Sequence, residues 1–134
     1  MDISLNWWAV LAGGALHWVL GAFWYSPLLF ARPWAATKGI DMENDEDGGS
    51  VWMYLSGLLA GMLLAAAMAV IVGLANATTF GSALILGVIV WAGFNGGPGL
   101  ANAMFGGSLK LWLIDSSYPL TSVVLISLIL TIWV

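Results

Sequence analysis

The sequence predicts an all-α integral membrane bundle of four transmembrane helices, and three observations carry that prediction. The first is composition. Of 134 residues, 61% are hydrophobic and only 7% charged, where a soluble domain carries roughly 25% charged residues. So short a chain has a high ratio of surface to volume and needs a polar coat in water. Three basic and seven acidic side chains cannot supply one, so lipid is the solvent for most of the surface. The second observation is the length of the uncharged runs, each matching one or two helical spans. The third is nine tryptophans, a residue whose indole ring favours the membrane–water interface.

The spans follow in order. No charged residue occurs from Leu5 to Ala31, which is the first span, 5–31. Arg32, Lys38 and the acidic run from Asp41 to Gly49 then form a polar loop over 32–50. No charge appears from Gly48 to Leu109, too long for one crossing and suited to two. The break falls at Asn76-Ala77-Thr78-Thr79, where a threonine can cap the next helix. The second and third spans are therefore 51–75 and 80–104. Gly106-Gly107-Ser108 makes the next turn, and the fourth span is 109–133. Runs of about 25 residues suit helices, whereas membrane strands are about 10 residues long and alternate in polarity.

The three basic residues set the orientation. Arg32 and Lys38 lie in the first connection and Lys110 beside the third, and with four spans these share one side. The positive-inside rule puts that side, with the acidic loop, in the cytoplasm and both termini outside. Cysteine at Ser4 is expected to react with an impermeant reagent in intact cells, and cysteine at Ser50 to be protected; the reverse pattern inverts the topology. The N-terminus lacks the basic region of a secretory signal, so the first apolar run reads as mature protein. No cysteine is present, which excludes disulfides, thiolate metal sites and Cys nucleophiles. So few cations also argue against a nucleic-acid partner.

Small residues mark the packing faces. Gly57, Gly61, Ala65, Ala69 and Gly73 recur every fourth residue in the second span, a narrow stripe without bulk along one helix face. Ala9, Gly13, His17 and Gly21 form a similar row in the first span. In lipid, such stripes let backbones approach closely, within one bundle or between copies. Trp7, Trp8, Trp52, Trp112 and Trp133 near span ends read as interfacial anchors. Trp18, Trp24 and Trp91 lie deeper and read as packing residues whose buried N–H groups want partners.

Few residues offer chemistry. His17 is the one histidine, and an ionisable group inside a span is a functional hypothesis by default. It reads first as a neutral imidazole bonded to a neighbouring helix, and alternatively as the axial ligand of a pigment or haem or as a proton relay. On the first reading, His17→Gln should leave folding intact. Asp115 is the one acid inside a span, about 8 Å along the helix from Lys110. Measured from Arg32 along an unbroken helix, His17 lies about 22 Å deep, which separates it from Asp115 by about 14 Å and disfavours a direct pair. Tyr25, Arg32 and Asn102 are the better partners for the carboxylate. The separation also argues against a Ser–His–Asp arrangement.

Gly93-Phe94-Asn95-Gly96-Gly97-Pro98-Gly99 should loosen or break the third helix. Broken helices can line transport sites; they can also let a bulky neighbour pack. Ser26-Pro27 marks a milder break in the first span. Glu43, Asp45, Asp47 and Gly48 resemble the start of a calcium loop, but Tyr54 stands where the closing acid belongs. The loop therefore reads as solvated.

Two stretches resemble a known family. Gly21-Ala22-Phe23-Trp24-Tyr25-Ser26-Pro27-Leu28-Leu29-Phe30 with Pro33-Trp34, and Leu113-Ile114-Asp115-Ser116-Ser117-Tyr118, are similar to the bacterial small membrane proteins called domain of unknown function 1761. The resemblance implies a four-span fold and a location in the bacterial inner membrane, and no reaction. The resulting expectation is a non-enzymatic membrane protein without a cofactor, in contact with lipid. It would assemble through small-residue faces as a homo-oligomer or as an accessory subunit of a larger complex. The alternatives are a small transporter or channel using the broken third helix with Asn95, Asn102 and Asp115, and tetrapyrrole binding through His17; Tyr118 is a further polar residue expected inside the membrane.

Overall fold

A computed structural model describes residues 4–39 and 51–133. The described residues form helices joined by short turns, with no strand, and four helical stretches are long and apolar enough to cross a membrane. The protein is a multi-pass membrane protein. The acidic residues Glu43, Asp45 and Asp47 of the cytoplasmic loop expected over 32–50 lie outside the described residues.

Helix α1 runs from Trp7 to Trp24, capped by the Asn6 side chain accepting from the Ala9 N–H. It stops well short of Ala31, which corrects the length of the first span. Pro27 lacks an N–H, and the chain turns over Tyr25–Phe30, where the Phe30 N–H reaches back to the Trp24 carbonyl and the Ala31 N–H to that of Ser26. A short helix, α2 (Ala31–Lys38), follows inside the loop, with Ala31 and Ala35 buried. It ends at Gly39 in the left-handed conformation at φ 72°, which glycine adopts without a steric penalty. Lys38 lies over the Trp34 ring, 4.5 Å from its centroid.

Helix α3 spans Val51–Ala75. It ends at Asn76 with φ 52°, a conformation that asparagine tolerates better than most residues. Thr79 caps α4 (Phe80–Trp91) in a reciprocal box with Ser82. The glycine-rich segment beyond does not break the helix, contrary to one reading of its sequence. It forms a π-helical turn over Ala92–Gly96 and continues as α5 (Gly97–Gly106). The Gly97 N–H bonds back to the Ala92 carbonyl, so the wider turn absorbs the absent Pro98 N–H. Ser108 then caps α6 (Leu109–Ile132).

Helix α6 is the hub: it touches α1, α3, α4, α5 and α2, and α1 packs most extensively on α3. The second-span stripe faces inward. Gly61, Ala65 and Ala69 are buried, Gly57 is half-buried and Gly73 is exposed. A Cβ on Gly61 would lie 2.7 Å from the Gly14 carbonyl oxygen, and one on Gly13 would lie 3.4 Å from the Ala65 Cβ and from Ile126. Helix α4 approaches α6 as closely: a Cβ on Gly87 would fall 2.9 Å from the Val124 Cα. The Ser127 hydroxyl donates to the Ala83 carbonyl at 2.8 Å beside it. Val10, Ala65, Met68, Ala69, Val123 and Ile126 close the core.

Trp7, Trp8, Trp52 and Trp133 are exposed at helix ends, as interfacial anchors are. Trp112 is not one of them. It is half-buried, and its indole donates to the Gly96 carbonyl at 3.0 Å. Trp18, expected at depth, is 38% exposed and packs over Gly57.

Candidate functional site

A chain of polar side chains crosses the interior between α1 and α6. His17 Nδ1 lies 2.5 Å from Ser122 Oγ, and Ser122 has 0% of its surface exposed. Nε2 lies 2.9 Å from the Tyr118 hydroxyl, which is also 2.7 Å from the His17 carbonyl oxygen. One assignment of hydrogens satisfies every group at once. Ser122 donates to Nδ1, Nε2–H donates to the Tyr118 oxygen, and the Tyr118 hydroxyl donates to the His17 carbonyl. The imidazole also stacks on Tyr118, 4.9 Å between centroids and 24° between planes. Gly21 makes room for this phenol, since a Cβ there would sit 2.7 Å from its oxygen.

The chain continues toward Asp115. Tyr25 donates to Asp115 Oδ1 at 2.7 Å, and the Tyr25 and Tyr118 rings meet edge-on at 5.8 Å. His17 and Asp115 are thus linked through two tyrosines rather than directly. Gly13 lies against Ile126, His17 against Ser122, Gly21 against Tyr118 and Trp24 against Ile114. His17 is therefore level with Ser122 and roughly 10 Å along α6 from Asp115 at 1.5 Å per residue, a separation of the order expected from the sequence.

Pro119 lies inside α6 and leaves the Asp115 carbonyl without its usual helical donor; indoles and hydroxyls bond to the carbonyls around it. Trp24 donates to the Ile114 carbonyl at 3.0 Å and Trp91 to the Ser116 carbonyl at 2.8 Å. Ser116 donates to Trp112 and Ser117 to Leu113 within the helix. The partners expected for the Trp24 and Trp91 indoles are therefore backbone carbonyls of α6. Trp91 also fills the space over Gly96, where a Cβ would lie 2.6 Å from its ring. Gly96 seats Trp91 and Gly99 seats Trp112.

Two cavities flank this chain. One, about 640 Å³, lies between α1 and α3 and is lined by His17, Trp18, Tyr25, Tyr54, Gly57 and Tyr118 among others. The other, about 330 Å³, lies between α5 and α6 and brings together Asn95, Asn102, Trp112 and Asp115. Asp115 therefore faces one cavity directly and reaches the wall of the other through Tyr25. Of the polar residues expected inside the membrane, Asn95, Asn102 and Asp115 share the smaller cavity, and Tyr118 belongs to the larger. Ser122 was not anticipated. Ser122 follows Tyr118 by four residues on one helix face, a signal only once Tyr118 is known to face α1.

The axial-ligand reading of His17 does not fit this geometry. Both ring nitrogens are engaged and one ring face is covered by Tyr118, so neither nitrogen is presented to a macrocycle. Among the described residues, no group of three His, Cys, Asp or Glu side chains could hold a metal ion.

A family model described as a protein of unknown function, DUF1761, matches residues 8–131. No curated protein and no solved structure matches the chain.

Proposed function

Because the chain belongs to the DUF1761 family of proteins of unknown function, whose description carries no reaction, we propose a function from the geometry. The protein is a non-enzymatic bundle of the bacterial inner membrane that binds a bilayer-soluble small molecule between α1 and α3. The cavity of about 640 Å³ carries this reading, with phenol and imidazole groups on a wall that is otherwise apolar or aromatic. Pockets for small molecules combine a mostly apolar lining with a few placed polar groups. With both termini outside, Asp115 and both cavities belong to the cytoplasmic half of the membrane, and His17 lies near its middle, level with Ser122.

Two observations support a binding role over catalysis. Ser122, the hydroxyl beside His17, is fully buried, so a substrate cannot reach it as a nucleophile. Asp115 holds Tyr25 rather than orienting His17. The α3 stripe lends no support to work as a homo-oligomer or accessory subunit, because α1 and α6 already cover its centre.

Solvent extraction of protein purified in a mild detergent, followed by mass spectrometry, tests the proposal. Gly57 lines the cavity, and a Cβ there meets only Trp18, at 3.4 Å. A lipophile is expected in the wild-type extract and absent from that of Gly57→Leu, whose side chain occupies the space. Identical extracts would remove the reading.

A further inference from the structure

We propose that the cavity between α1 and α3 takes an amphipathic organic cation, its charged centre held against the aromatic wall at Tyr25 and Tyr118; this rests on the binding role proposed above. The hydrogen-bond inventory of the wall points to a positive ligand. His17 uses both ring nitrogens, and the Tyr118 and Tyr25 hydroxyls each donate inside the protein. Among these three residues, what remains for a ligand is oxygen lone pairs and ring faces. Both favour a cation and neither favours a carbonyl or an anion. The Trp18 indole adds a further ring to the wall.

Charge agrees with the inventory. Among the described residues, no Lys or Arg lines the cavity. The Asp115 carboxylate stands one hydrogen bond behind Tyr25, which lines it. A phenol that donates to a carboxylate is polarised, and its oxygen becomes a better acceptor. The carboxylate thus acts on the cavity through Tyr25 while itself lining the smaller cavity between α5 and α6. The cavity has room for several rings or a branched ammonium, and at this depth its apolar remainder suits a ligand that arrives through the bilayer.

The test uses three probes of similar bulk and different charge: tetraphenylphosphonium, neutral triphenylphosphine oxide and tetraphenylborate. Each is titrated calorimetrically into phosphatidylcholine nanodiscs holding the full chain, against empty discs that account for partition into lipid. Saturable phosphonium binding is expected, tighter than that of the neutral oxide by on the order of tenfold, with no saturable binding of the borate. Asp115→Asn still accepts from Tyr25 but lacks the charge. It should reduce the preference for phosphonium several-fold and leave the oxide unchanged, and Asp115→Glu should restore it. Gly57→Leu should abolish saturable binding. Ala60→Leu fills the same cavity from an exposed position and serves if Gly57→Leu does not fold. If the neutral oxide or the borate binds as tightly as the phosphonium and is lost in the filled variants, the cation is wrong and the cavity reading stands. If no probe binds saturably, both fall.

Discussion

Gly61→Leu is expected to lower the stability of the bundle by about 3 kcal/mol, the upper end of the usual cost of overpacking. The reason for the upper end is the neighbour. Even a methyl group at this position would lie 2.7 Å from the Gly14 carbonyl oxygen and 3.2 Å from His17 Cδ2. A flexible side chain could turn aside, but a backbone carbonyl cannot, so α1 and α3 must separate. Gly61→Ala should already cost about 1 kcal/mol for the same reason. Leu59 and Leu63 point away from the stripe, and both are more than half exposed; Leu63→Ile should change little. Insertion should survive all these changes, because leucine suits lipid at least as well as glycine. Reversible unfolding in mixed micelles measures the effect. An unchanged midpoint for Gly61→Leu would mean that α1 does not pack on this stripe.

Removing the imidazole has the second largest effect. His17→Leu takes away the Ser122 contact and the Nε2 contact to Tyr118, leaving a fully buried hydroxyl without its partner. An unsatisfied buried polar group costs about 1–3 kcal/mol. Two considerations lower the figure here. Tyr118 keeps its bond to the His17 carbonyl, which the substitution does not remove. Ser122 can turn to a carbonyl of its own helix, an option open to serines in membrane helices. Measured interhelical bonds in membranes average about 0.6 kcal/mol each, so a loss of about 1–2 kcal/mol is expected. His17→Gln supplies one acceptor and one donor and should cost less than His17→Leu. Combining His17→Leu with Ser122→Ala should cost less than the sum of the two changes, by at least about 0.5 kcal/mol. Strict additivity would show that the two groups do not interact.

The legible part of the site was residue type, and the illegible part was pairing. His17, Asp115, Tyr118, Asn95 and Asn102 stand out because polar groups are rare in apolar runs, and Tyr25 could be named beside Asp115 from proximity to a span end. Ser122 could not be singled out among the serines of α6, because any of them can satisfy itself on its own backbone. The separation of His17 from Asp115 was legible from the helical rise, but the two tyrosines between them were not, because which side chains meet depends on how α1 and α6 rotate against each other. A proline marks where a helix can end, but whether it ends there depends on what receives the freed backbone groups.

The sequence by itself determined the four crossings, the turn at Asn76 with the Thr79 cap, and the spacing of the α3 stripe. These are local properties: the length of an apolar run, the conformational tolerance of one residue and the pitch of a helix. Only the tertiary structure decided that α1 stops at Trp24, that the glycine-rich third helix continues through a π turn, and that the centre of the α3 stripe closes on Gly14. The last two depend on the rotation and register of one helix against another. Helices that are apolar on every side carry almost no signal for that choice. Close packing and indole-to-carbonyl hydrogen bonds make it instead, and they exist only once the helices are together.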